Sequence, residues 1–260
     1  MTASATLHSK SLKNRILIKA GIIAIWFLLW QLLSVVIGSA FLFPSPVTVV
    51  KRLCELAVTG NFAVSCLLSL GRVLAGYLIG IAAGTLMGVI TAFSKTLRAF
   101  FAPLLTVIKT TPVASFIILL LIWMKRTGVT VTVSSILVAP VVWTNVCAGL
   151  MNTDRNLLEM SDIYRFSTHR KIRYIYIPAV FPHFSSACMT AIGFAWKAGI
   201  SAEVIAVPLR AIGTSLYHAK INLNYTDLFA WTLAVVLLSL IVEKLLVLVL
   251  ERFVFGRAVR

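Results

Sequence analysis

Long apolar runs alternate with short polar segments along this chain, and the lengths of the runs set the first expectation. A helix rises about 1.5 Å per residue, so a hydrocarbon layer of about 30 Å takes roughly 20 mostly apolar residues. Six runs reach or approach that length, at 16–37, 63–93, 100–124, 129–150, 178–205 and 228–250. The pattern predicts an all-α integral membrane protein of about six transmembrane helices, one domain over 16–260 behind a polar tail at 1–15. Lys10, Lys13 and Arg15 ahead of the first run imitate a signal peptide, but the run continues past Val36 without a small-residue cleavage site and is expected to stay as an anchor.

Details within the runs refine this. Phe43-Pro44-Ser45-Pro46 ends the first, and Val47, Val50, Leu53, Cys54 and Ala57 then recur at helical spacing beside Lys51, Arg52 and Glu55. That segment reads as a short amphipathic helix at the interface. Gly71, Gly76, Gly80, Gly84 and Gly88 punctuate the second run at steps of four or five. Small residues so spaced let helix backbones approach closely where lipid supplies no hydrophobic drive, so this helix is expected to be central. Lys109-Thr110-Thr111-Pro112 interrupts the third run, and a proline removes a backbone hydrogen bond, so a kink or break near Pro112 follows.

Composition agrees, with 60% apolar and 12% charged residues and a formal net charge of +16. Such basicity can mark a nucleic-acid binder, but its placement argues for orientation in a membrane. Lys10, Lys13, Arg15, Lys19, Lys95, Arg98, Arg155, Arg165, Arg170, Lys171, Arg173, Arg252, Arg257 and Arg260 fall on one side, and Lys51, Arg52, Lys125, Arg126, Arg210 and Lys220 on the other. The richer side is expected to be cytoplasmic, with both termini there, and no nucleic-acid partner is expected. Cys54, Cys66, Cys147 and Cys188 form no CxxC pair, and His8, His169, His183 and His218 are too dispersed for a metal site. There is no GxxxxGK[ST], GxSxG or HExxH, so no catalysis, cofactor or metal is expected on this chain.

The longest polar segment, 152–177, carries the functional signal. Leu157, Ser161 and Tyr164 share one helical face and Ile172, Ile175 and Tyr176 another, which predicts two short helices joined by a turn. A projection of that kind, fixed between two membrane helices, suits insertion into a groove on a cytoplasmic partner.

These residues resemble the signature loop of the permease subunits of ABC importers, in which a Glu-Ala-Ala triplet is followed four residues later by Gly, ten further by Ile, and then by Pro. Glu159, Ile175 and Pro178 stand at that spacing, Met160 and Ser161 replace the alanines, and Arg165 takes the glycine position. Phe43-Pro44-Ser45-Pro46, Ser69 to Tyr77 and Ala202-Glu203 look like the nitrate, sulfonate and taurine branch of those permeases. The resemblance implies a type I importer fold, two permease copies forming a homodimer, cytoplasmic ATPase subunits holding ATP and magnesium, and an extracytoplasmic solute-binding protein. It assigns Glu159, Met160, Ser161, Tyr164, Arg165, Phe166, Ser167, Ile175 and Pro178 to the ATPase-coupling loop. It implies as solute either a small organic anion such as a sulfonate or a vitamin precursor. Because a side chain makes positive φ costly, by about 1 kcal/mol, the turn is expected to shift from Arg165 to Phe166-Ser167, with Ser167 capping the second helix.

Arg72, Lys109, Lys197 and Glu203 lie in or beside apolar runs, where an ion costs several kcal/mol unless it is paired or wet. One reading sets Lys109 or Lys197 beside a translocation path for an anion; the other pairs them with Glu203 or lets them snorkel to an interface. An ion-coupled secondary transporter is the alternative class, compatible with the broken third run but lacking a visible internal repeat.

Overall fold

The structure, a computed structural model, describes the backbone of residues 3–39 and 41–258 and the side chains of 18, 21–39, 41–249 and 252. The side chains of Lys10, Lys13, Arg15, Lys19, Arg257 and Arg260, which carry part of the charge asymmetry, lie outside those described.

At the centre, α3 (Gly60–Phe93) packs along α6 (Arg126–Met151). Their seam is made by the glycines. A methyl group on Gly80 would sit 2.6 Å from Val138 Cβ, one on Gly84 2.5 Å from the Ala139 carbonyl, and one on Gly88 2.8 Å from Val146 Cβ. No side chain fits there, which is why only glycine recurs at this spacing. The residue numbers rise together, so α3 and α6 run parallel. The chain must therefore travel back between them.

It returns through a broken pair, α4 (Lys95–Thr110) and α5 (Val113–Trp123), bent by 102°. Phe101 of α4 stacks edge-on with Trp143 near the far end of α6, while Ile117 of α5 packs with Val129 and Val133 near its beginning. Pro103 and Pro140 sit inside helices that continue past them, whereas the chain turns extended at Thr111 and Pro112. There the Thr111 amide and Oγ1 both close back on the Val107 carbonyl, at 3.0 and 2.7 Å, and Thr110 Oγ1 bonds the Thr106 carbonyl at 2.9 Å. The third run is thus two helices meeting at the expected proline.

A long helix covers the groove between α3 and α6. It comprises α8 (Thr168–Lys171), a π-turn at Ile172–Tyr176, and α9 (Ile177–Ala206), continuous over Thr168–Ala206. It runs antiparallel to both neighbours, with Gly199 against Val73 and Gly149 against His183. Val73, Tyr77, Val138, Val142, Ala191, Ala195 and Trp196 form the core of the three-helix layer.

Two further helices flank this core. In α11 (Tyr225–Ala258), Trp231 stacks on Phe62 at the start of α3, so α11 runs parallel to α3. The amphipathic segment expected after the first run is α2 (Pro46–Ala57), with Ser45 accepting from the Thr48 amide at its N-terminus. Arg52 of α2 holds the Asp227 carboxylate of α11 and bonds Glu55 at 3.0 Å. Those two carboxylates, Asp227 foremost, raise the Arg52 pKa above the ordinary arginine value.

Among the described residues four helices, Gly60–Phe93, Arg126–Met151, Thr168–Ala206 and Tyr225–Val249, are long and apolar enough to cross a membrane, and the bent pair makes a fifth candidate. The first run lies in α1 (Ala3–Ile37), of which the apolar stretch among the residues with described side chains is Gly21–Ile37. It touches the rest through Trp30, which packs against Phe229 of α11. A helix that the apolar pattern did not announce, α10 (Ile212–Ile221), lies between α9 and α11.

Candidate functional site

Both ends of the Thr168–Ala206 helix carry residues singled out in the sequence. At its start lies the polar projection. Asp154 accepts from the Asn156 amide at 2.9 Å and starts α7 (Arg155–Ile163). Helix α7 leaves a row of apolar side chains in the open: Leu157, Met160, Ile163 (79% exposed) and Tyr164 (71% exposed). Glu159 is exposed beside them, whereas Ser161, placed by periodicity on the face of Leu157 and Tyr164, is buried and bonds the Leu158 carbonyl at 2.6 Å.

The turn has not moved off the family's glycine position. Arg165 itself takes φ of 50°, and the Phe166 amide reaches back to the Ser161 carbonyl at 2.8 Å while the Arg165 amide bonds the Asp162 carbonyl at 3.0 Å. These are the two bonds of a Schellman ending, which needs a left-handed residue at this point whichever side chain stands there. The expected shift to Phe166-Ser167 is therefore corrected: satisfying the Ser161 and Asp162 carbonyls outweighs about 1 kcal/mol of backbone strain. Ser167 does occupy the N-cap of α8, without a side-chain capping bond.

The second expected short helix is corrected too. Helix α8 runs through the π-turn into α9, with Ile175 buried and Pro178 exposed at the second position of α9. Lys171 ties α8 to Asp162 of α7. The projection is thus a single short helix clamped to the end of a long one. Beside it an apolar cavity of about 770 Å³ opens between α3, α6 and α9, lined by Val89, Phe93, Leu150, Ile172 and Phe181 among others.

The opposite end of α9 is closed by a polar knot. Glu203, fully buried, accepts from Ser69 Oγ at 2.6 Å, from the Gly213 amide at 3.2 Å and from Arg72 Nη1 at 3.3 Å. Arg72 also donates to the carbonyls of Leu209 at 3.1 Å and Arg210 at 3.5 Å, and Ser69 Oγ accepts from the Ile212 amide at 2.9 Å. The loop so gripped is strained, with φ of 48° at Val207 and 50° at Arg210. A β-branched residue there is an outlier that persists because its surroundings hold it.

Glu203 therefore takes Arg72 as its ion partner, not Lys109 or Lys197. Both lysines are exposed and join none of the salt bridges among the described residues. Lys109 stands in the last turn of α4 and Lys197 in α9, on a face it shares with exposed Thr190, Phe194, Ser201 and Ile205. Sequence reasoning found Arg72 and Glu203 but missed Ser69 and the two α10 amides, whose only trace is Ser69 at the head of the Ser69–Tyr77 motif.

Long apolar helices in alternating directions, with the fully buried carboxylate of Glu203 tied to an arginine, define a multi-pass α-helical membrane protein. The chain belongs to the family described as binding-protein-dependent transport system inner membrane component, whose model matches residues 80–256. It is 29% identical over 195 residues, 73% of this chain and 68% of the relative, to a putative aliphatic sulfonates transport permease protein of Bacillus subtilis. It is 26% identical over 192 residues, 70% of this chain and 68% of the relative, to a nitrate import permease protein of Synechococcus elongatus. The fold matches a crystal structure of an amino acid ABC transporter with histidines at a TM-score of 0.60 and 17% identity, covering 77% of this chain and 96% of that one. The chain is a permease component of an ABC-type importer, a context that implies a cooperating ATPase and a solute-binding protein and displaces the secondary-transporter alternative.

Proposed function

We propose that this chain crosses the inner membrane six times with both termini in the cytoplasm, receives force from a separate ATPase through residues 152–177, and passes a small anion along a face shared with a second copy. The observation that carries the coupling role is the open row Leu157, Met160, Ile163 and Tyr164 on a helix locked to the end of α9. Exposed apolar side chains on a rigid projection fit a partner's groove, and the Lys171–Asp162 tie makes displacement of α7 displacement of α9. ATP and magnesium belong to the partner.

Six crossings follow from helix directions if Gly21–Ile37 also spans, with α7 and the end of α11 on the side rich in Lys and Arg. The second copy is supported by Lys197, nine residues before the end of α9, hence about 14 Å along the helix. An ammonium facing lipid there would cost about 2.5–3.5 kcal/mol, so its face meets water or protein. The anion is supported by the two relatives above, which carry sulfonates and nitrate in their names.

Reconstitution with the ATPase and binding protein tests the coupling role. The pair Ile163→Asp and Tyr164→Asp, or Glu159→Lys alone, should leave insertion intact and separate ATP hydrolysis from uptake. Normal uptake by all of these variants would sink the coupling role. Lys109→Gln and Lys197→Gln, made separately, address the path: normal uptake in both removes it from these lysines.

A further inference from the structure

Cations are unevenly matched at the end of the molecule opposite α7. Arg52, Arg72, Lys51, Lys125, Arg126, Arg210 and Lys220 lie there with three carboxylates, Glu55, Asp227 and Glu203. Arg52 engages the first two and Arg72 the third. Lys51, Lys125, Arg126, Arg210 and Lys220 have no carboxylate within salt-bridge distance among the described residues. An outer face normally carries few Lys and Arg, so an uncompensated surplus calls for a reason.

Two of these cations line a cavity. Between α5, α6, α9 and α10 lies a space of about 650 Å³ bordered by Lys125, Arg126, Ile205, Val207 and Tyr217 among others. Arg126 spends one N–H on the Val207 carbonyl at 3.4 Å and has further donors free; the Lys125 ammonium has three. Ile205 of this cavity belongs to the same exposed α9 face as Ser201 and Lys197. From Ile205 to Lys197 is eight residues, about 12 Å of helix. A cationic mouth thus opens onto the exposed stripe of α9 that holds the next cation, Lys197.

We propose that Lys125, Arg126 and Tyr217 form a reception site for a small oxyanion, which moves from it along the Ser201 face of α9 towards Lys197. Two positive charges beside one concavity raise the local anion concentration, and the Tyr217 hydroxyl adds a neutral donor. Release from the site follows from Lys125 being a flexible, hydrated ammonium rather than a second rigid fork. The proposal rests on the reading of this chain as an anion-carrying permease with this end outward.

The test uses the full chain with its ATPase in right-side-out vesicles, with Cys54→Ser to remove the exposed thiol and Ile205→Cys as reporter. Anionic 2-sulfonatoethyl methanethiosulfonate and cationic 2-(trimethylammonium)ethyl methanethiosulfonate are compared, each normalised to its rate with free cysteine. The anionic reagent should react roughly tenfold faster, and K125Q/R126Q should bring the two to parity, with K125Q alone intermediate. Ethanesulfonate or nitrate should slow the anionic reagent, and neutral ethanesulfonamide should not. A reagent ratio unmoved by either charge variant, or no protection by either anion, overturns the site. Labelling needs no ATP, so loss of the permease reading, seen as no ATP-driven uptake by the complete system, is distinguishable from loss of this site.

Discussion

The two ends of the Thr168–Ala206 helix are built in opposite ways. Around Glu203 every strong polar group is answered within the chain: Ser69, Arg72, Gly213 and two loop carbonyls form one closed network. Around Tyr164 the reverse holds, for large apolar side chains stand in solvent and an apolar cavity lies beside them. A buried carboxylate without its partners is destabilising, so the first end is finished when the chain folds. Exposed apolar rows are finished by something else. On the proposed reading, the contrast separates residues that maintain the subunit from residues that connect it to another.

The largest effect that tests this contrast belongs to the closed end. Arg72→Leu strands Glu203 in the protein interior and should cost about 3–5 kcal/mol, read as a collapse of folded yield and a lower thermal midpoint in detergent. The double variant Arg72→Leu with Glu203→Leu should recover part of that loss; if it does not, the pair is not the reason for the fragility. Next comes the shaft joining the ends. Gly84→Leu places side-chain atoms against the Ala139 carbonyl and should cost about 1–3 kcal/mol or more, whereas Gly193→Ala, which meets nothing within 4 Å, should be silent in the same melts. At the open end, Ile163→Asp with Tyr164→Asp should leave the melt unchanged yet weaken ATPase binding by about 2 kcal/mol, roughly thirtyfold, in a pull-down titration. A melting shift as large as that of Arg72→Leu would erase the contrast. The smallest effect is Arg165→Gly, which relieves the positive φ and should stabilise the turn by about 1 kcal/mol, measured as slower amide exchange at Phe166.

Local features were legible in the sequence. Of the five spaced glycines, Gly76, Gly80, Gly84 and Gly88 announced a close helix contact because only a missing side chain permits one, whereas a methyl on Gly71 would meet nothing within 4 Å; Pro112 announced the break in the third run. The knot at Glu203 was half visible. Its charges stood out against apolar neighbours, but the partners lie 131 and 134 residues away and no periodicity links such positions. The Arg165 turn was misplaced because the cost of positive φ is readable from one residue, whereas the two compensating amide bonds depend on where α7 ends. The π-turn at Ile172–Tyr176 left no signal, since its side chains suit an α-helix equally well.

The glycine seam has one more consequence. Because Gly76, Gly80, Gly84 and Gly88 bring two backbones to contact over about three helical turns, and α9 fills the furrow above them, α3, α6 and α9 leave no channel along that seam among the described residues. On the proposed reading, the solute travels along the flank of this layer and not through it.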